Sequence, residues 1–148
     1  MTARDLMTPN PAVITADDAI PKAAEMMKTL GVGVLPVVDD LQHRRLLGVL
    51  TDRDIVVRYV AIGHLAGSRV SDHMTRDPLV TVGSDTSLSE IAEKMEQHQV
   101  RRLPVVSDDG AVVGIVTQAD LAISIGPNDP QLIEQILERV SRPGALVY

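Results

Sequence analysis

Gly48-Val49-Leu50-Thr51-Asp52-Arg53-Asp54 reads as the end of a buried strand, a turn and the start of a helix. The pattern is glycine, two aliphatics, threonine, two variable residues and aspartate. It returns as Gly114-Ile115-Val116-Thr117-Gln118-Ala119-Asp120. Two copies of one strand-to-helix junction in 148 residues mean an internal repeat. Working outward, Leu6-Met7-Thr8 with Pro11 returns as His73-Met74-Thr75 with Pro78, and Leu35-Pro36-Val37-Val38 returns as Leu103-Pro104-Val105-Val106. The offset is 67 at Met7/Met74, 68 at Pro36/Pro104 and 66 at Gly48/Gly114, so the copies differ only by small loop insertions. A period this long describes a duplicated compact half-domain rather than a solenoid of short units.

Composition narrows the chemistry. Hydrophobic residues make up 45% of the chain and aromatic residues 1%, so the core is aliphatic. Stacking of bases on aromatic rings is nearly unavailable, and a net charge of −6 opposes a phosphate backbone, so no nucleic-acid partner is expected. The absence of cysteine excludes disulfides and thiol chemistry. The N-terminus is not a signal peptide, and no apolar run approaches the ~18 residues of a membrane span. The chain reads as soluble and cytoplasmic, with no membrane partner.

In chain order, Ala3 to Met7 forms a short lead-in helix, and Ala12 to Thr15 a strand. Asp17 and Asp18 supply a helix start, Pro21 sits in the first turn, and Gly31 ends the helix. Val32 to Val38 suits a strand buried on both faces, with Pro36 at an edge or a bulge. Leu46 to Leu50 is the next strand, and Thr51 opens a helix running through Val60. The second half repeats the plan. Val70 to Met74 is the lead-in, Leu79 to Val82 a strand, and Ser87 to Glu90 a capping box. Val100 to Val106 and Val112 to Val116 are strands, and Gln118 to Ile125 is a helix. Each repeat is therefore strand, helix, strand, strand, helix, in an α/β (α+β) fold. The expected boundaries are residues 3–63 for the first repeat, 64–69 for a linker, 70–126 for the second repeat and 127–148 for a C-terminal helix and tail. That last helix carries a stripe of Leu132, Ile133, Ile136, Leu137 and Val140, to be buried on its own body or on a second subunit.

The junction has two readings. Thr at the N-cap with an acid three residues on resembles a capping box with Asp in place of Glu, which is purely structural. The same geometry suits a nucleotide. Free N–H groups at a helix start favour phosphate, a Thr hydroxyl donates to an oxygen, and a carboxylate one turn in accepts from a ribose diol.

The matched Met-Thr, Leu-Pro-Val-Val and Gly-x-x-Thr-x-x-Asp segments resemble a tandem pair of CBS domains (a Bateman module). The resemblance covers nearly all of residues 3–126. The runs Leu50 to Val56 and Gln97 to Val105 are similar to stand-alone bacterial two-CBS proteins of the hypoxic-response-protein type. The resemblance implies two three-stranded sheets in a pseudo-two-fold pair, clefts between the repeats, and homodimers formed through the CBS helices. It also implies an adenosine-containing regulatory ligand such as AMP, ADP, ATP or S-adenosylmethionine, with no required cofactor. By position, Asp54 and Asp120 would hold ribose hydroxyls, and Thr51 and Thr117 would sit at ribose and phosphate. The strands at Thr15 and Thr81 would read the adenine edge through the backbone. The purine would lie among aliphatic side chains such as Val34, Leu35 and Val37, beside the Pro36 and Pro104 steps. Arg101 and Arg102 precede Leu103-Pro104, whereas Gly33 and Val34 precede Leu35-Pro36, so charge for a phosphate is one-sided. The alternative for these arginines is surface ion pairing.

Catalysis is not expected. His43, His64, His73 and His98 show no metal-ligand spacing and are read as surface histidines, and there is no nucleophile elbow, Walker loop or dinucleotide fingerprint. The competing function is a ligand-free interaction module, in which the Thr/Asp pairs are caps and the apolar faces serve dimerisation and an unidentified effector protein.

Overall fold

The structure is a computed structural model that describes residues 1–63 and 66–141. His64 and Leu65, the first two residues of the expected linker, and the tail after Ser141 lie outside the described residues. The elements run α1 (Ala3–Leu6), β1 (Thr8–Pro9), β2 (Ile14–Thr15), α2 (Ile20–Leu30), β3 (Val34–Val38), β4 (Leu46–Thr51), α3 (Asp52–Ile55), α4 (Val70–His73), β5 (Val82–Gly83), α5 (Leu88–His98), β6 (Arg102–Val106), β7 (Val112–Thr117), α6 (Gln118–Ile125) and α7 (Pro130–Val140). Past Ile55 the chain continues as a π-helical stretch, Val56–Val60, closed by Ala61 N–H donating to the Val56 carbonyl at 2.9 Å.

The chain forms two compact units. Among the described residues, unit 1 holds 1–11, 80–108 and 113–141, and unit 2 holds 12–63, 66–79 and 109–112. The strand-helix-strand-strand-helix plan is present in both, but the lead-ins are exchanged relative to the repeats. Unit 1 takes its lead-in from the N-terminus, and unit 2 takes the segment after residue 69.

Unit 2 carries a three-stranded sheet, β2-β3-β4, with β2 parallel and β4 antiparallel to β3. Thr75 adds a single bridge to the free edge of β4, exchanging two backbone hydrogen bonds with Val49 at 2.8 and 2.9 Å. In unit 1 the corresponding lead-in forms the short strand β1, so that sheet has four strands, β1-β7-β6-β5, and not the expected three.

The strands are shorter than the sequence suggests. β5 begins at Val82, leaving Thr81 outside it, because its parallel partner β6 pairs only through Val105 and Val106. Pro36 stands in the middle strand of its sheet, but at a row where β2 does not reach, since β2 pairs only with Val37 and Val38. Its missing N–H therefore removes no ladder bond. The next row holds a bulge. Val37 pairs with Gly48 and Val38 with Leu46, so Leu47 is left over and turns outward.

The helix ends follow local chemistry. Gly31 closes α2 in the left-handed region at φ 66°. Ser87 caps α5 in a capping box with Glu90. Asp17 and Asp18 do not cap α2, whose N-cap is Ala19. The Asp18 carboxylate instead turns back to Thr15, accepting from its N–H at 3.0 Å and its hydroxyl at 2.9 Å.

The core of unit 2 gathers Ile14, Ile20, Leu35, Val37, Leu50 and Met74, all buried and aliphatic. In unit 1, α7 packs on α5 and α6, so its stripe is covered by its own unit. Ile133, Ile136 and Val140 are buried there, while Leu132 and Leu137 stay partly exposed at the margin.

One histidine departs from the surface reading. His73 is 5% exposed, and its Nε2 has no hydrogen-bond partner. Its ring meets Tyr59 edge-on with centroids 5.7 Å apart. It closes α4, whose apolar side packs inward, and the ring is carried with that side.

Candidate functional site

Each Gly-x-x-Thr-x-x-Asp segment ends a buried strand and begins a helix. At the unit 2 junction, Thr51 caps α3. Its hydroxyl accepts from the Asp54 N–H at 3.0 Å, and Asp54 Oδ2 accepts from the Thr51 N–H at 3.0 Å. At the unit 1 junction, Thr117 caps α6 in the same way, with bonds of 3.2 and 2.7 Å, and its hydroxyl lies 2.8 Å from Asp120 Oδ2. The capping reading is thus physically correct for both pairs.

What surrounds the pairs differs. Asp54 is 8% exposed and takes two further partners. The Thr75 hydroxyl lies 3.3 Å from both carboxylate oxygens, and Arg58 Nε lies 3.7 Å from Oδ1. Neither residue is among the site candidates drawn from the sequence, although Thr75 belongs to the repeated Met-Thr segment. The i,i+4 spacing of Asp54 and Arg58 was the available signal for one, and the repeated Met-Thr pair for the other. Asp120 is half-buried and, among the described residues, bonded only within its own cap.

A backbone bond marks equivalent positions at the two helix starts. Asp52 N–H donates to the Gly33 carbonyl at 3.0 Å, and Gln118 N–H donates to the Arg101 carbonyl at 2.9 Å. Arg101 is therefore set against the first turn of α6, where unit 2 has glycine against an acidic residue. The Asp52 carboxylate stands close to Gly33, since a Cβ there would be 2.9 Å from Oδ2. Arg101 is exposed, Arg102 is half-buried in β6, and neither is in an ion pair among the described residues.

The remaining candidates are less available. Thr15 already uses its N–H and hydroxyl on Asp18 and its carbonyl on the Asp18 N–H at 3.2 Å. Burial by itself would raise the Asp18 carboxyl, but the Lys22 ammonium at 2.8 Å and the Thr15 donors hold it below the usual range. Thr81 accepts at its carbonyl from Lys94 Nζ at 3.3 Å. Val34, Pro36 and Pro104 are buried in their strands, and Leu35 and Val37 belong to the core. Among the described residues, no three His, Asp or Glu side chains gather in a way that could hold a metal ion, and no helix is long and apolar enough to cross a membrane.

Comparison with known proteins agrees with this architecture. The chain is 36% identical over 145 residues to hypoxic response protein 1 of Mycobacterium tuberculosis, covering 98% of this chain and 97% of that one. The crystal structure of the CBS domain pair of protein MJ0100, in complex with 5-methylthioadenosine and S-adenosyl-L-methionine, superposes with a TM-score of 0.72 at 28% identity, over 86% of this chain and 97% of that one. That of CBSX2 in complex with AMP gives a TM-score of 0.71 at 31% identity, over 83% and 94%. The CBS domain model matches residues 3–61 and 70–126. With its two repeats, paired junctions and lead-in strands, the chain belongs to the CBS domain family.

Proposed function

We propose that the chain is a regulatory module, not an enzyme, that binds an adenosine nucleotide (AMP, ADP or ATP) at a strand-to-helix junction. The observation that carries this reading is the Asp120 carboxylate. Its Oδ2 is held by the Thr117 cap, while Oδ1 has no partner among the described residues. An ionised oxygen held in place by a cap is a ready acceptor for ribose hydroxyls. Arg101, whose carbonyl accepts from the first N–H of α6, and the adjoining Arg102 have no carboxylate partner among the described residues, and they supply the charge for a phosphate. The adenosine compounds bound by MJ0100 and CBSX2 support the same ligand class.

Thermal unfolding with and without AMP, ADP, ATP and S-adenosylmethionine tests this. A ligand that binds only the native state, at one hundred times its Kd, adds about 2.7 kcal/mol and raises the melting temperature by several degrees. Arg101→Ala or Arg102→Ala should reduce that gain for AMP and ATP. No shift with any of the four ligands would leave the Thr/Asp pairs as caps and favour the interaction-module reading.

Self-association is part of the same proposal. Val56, Val57 and Val60 on the π-helical stretch, with Ile62 just beyond, are all exposed. Four aliphatic side chains in seven residues form a patch that a second copy would cover. Sedimentation of the wild type is expected to give a dimer, and Val56→Glu with Val60→Glu a monomer. A monomeric wild type at micromolar concentration would remove this element.

A further inference from the structure

On the nucleotide-binding reading above, the two junctions of one chain are not equivalent. Asp54 is already occupied from within its own unit. Oδ2 takes the Thr51 N–H at 3.0 Å and the Thr75 hydroxyl at 3.3 Å, and Oδ1 faces the same hydroxyl at 3.3 Å and Arg58 Nε at 3.7 Å. The guanidinium is itself anchored, with Nη1 donating to the carbonyls of His73 and Met74 at 3.4 and 3.3 Å. A ribose diol would have to displace both groups from a buried carboxylate, on a side chain that is 10% exposed.

Unit 1 has neither group. The residue four past Asp120 is Ser124, which carries no charge, and Thr8, which corresponds to Thr75, is exposed and makes no bond to Asp120. The phosphate side is unequal in the same direction. The start of α3 carries the Asp52 carboxylate beside Gly33, whereas the start of α6 carries neutral Gln118, whose N–H donates to the backbone carbonyl of Arg101. Like charge repels and opposite charge attracts over these few ångströms.

We propose that each chain binds a single nucleotide, at the Thr117–Asp120 junction of unit 1, and that Arg58 and Thr75 fill the ribose position at Asp54. The unit 2 junction is then a clasp. It ties the segment His73-Met74-Thr75 to the strand-to-helix turn, and the ligand chemistry is left to unit 1.

Titration calorimetry with AMP on the full chain decides this. The wild type is expected to bind one equivalent per chain, and Asp120→Asn to lose at least tenfold in affinity while its circular dichroism is unchanged. In the double variant Arg58→Gln/Thr75→Val, titrated with adenosine because Asp52 repels phosphate, a second equivalent is expected. Adding Asp54→Asn to that background should remove it. Two equivalents in the wild type, or AMP binding that survives Asp120→Asn, overturns the single-site assignment while leaving the nucleotide reading intact. One equivalent of adenosine in the double variant overturns closure by these two side chains. No binding of either probe to the wild type overturns both the function and the site assignment.

Discussion

Gly48→Ala is expected to lower the unfolding free energy by about 3 kcal/mol, whereas Gly114→Ala costs about 1 kcal/mol, the low end of the overpacking range. The two glycines hold the same place in the repeated motif, and neither has positive φ, so backbone conformation does not separate them. Their neighbours do. A Cβ on Gly48 would stand 2.7 Å from the carbonyl oxygen of Thr75, which is backbone and is held by its bond from the Val49 N–H at 2.9 Å. Relief requires moving the lead-in, which breaks the two-bond bridge to Val49, at about 1 kcal/mol per bond, and adds overpacking strain. The same bridge sets Thr75 against Asp54, so the clasp loosens as well. A Cβ on Gly114 instead runs into the Met7 side chain, led by Sδ. A thioether with three rotatable bonds can turn away, and Cγ at 2.9 Å is moved by the same side-chain rotation. Cβ at 3.1 Å needs a shift of only a few tenths of an ångström, so the cost is the smaller of the two. Urea unfolding of both variants checks the contrast, and equal losses would show that the Thr75 carbonyl is not the constraint.

Leu50→Ala should cost about 3–5 kcal/mol, the range for truncating a buried leucine where the surroundings cannot collapse. Leu50 is fully buried among Leu35, Ile14, Ile20 and Ile55. It is the residue before the Thr51 cap, so the cavity opens beneath the turn that positions Asp54. For a chain of this size the loss corresponds to roughly 10 °C in melting temperature. Leu47→Ala, three residues earlier in the same strand, is expected to stay within about 0.5 kcal/mol because the bulge already turns Leu47 outward, 38% exposed. Hydrogen exchange should show the Leu50→Ala loss over β2, β3 and β4. A cost below about 1.5 kcal/mol would mean that the aliphatic core repacks around the gap.

Much of this protein is legible from local pattern. Repetition of Met-Thr, Leu-Pro-Val-Val and Gly-x-x-Thr-x-x-Asp identifies the duplicated unit, because each segment is a short stretch whose turn and cap chemistry is complete in itself. Thr51 with Asp54 and Thr117 with Asp120 are three residues apart, so their caps could be read from spacing and are found as read. The helix at Pro130–Val140 followed from its start signal and its apolar stripe.

What depends on distant residues was decided only by tertiary structure. The sequence suggested that Asp17 and Asp18 start a helix, but Asp18 bonds to Thr15, because a carboxylate satisfies whichever donors the turn brings nearest. His73 looked like a surface residue, but burial belongs to the face on which α4 packs and not to the residue type. The exchange of lead-ins between the repeats leaves no mark in the sequence, since an extended segment pairs equally well with either copy of a duplicated strand. The difference between the two junctions has the same origin. Thr75 is 21 residues from Asp54, and its place at that carboxylate exists only once the lead-in has folded back on β4. A repeated motif therefore establishes a repeated cap, while the availability of each aspartate to a ligand is set by which neighbours the fold brings to its oxygens.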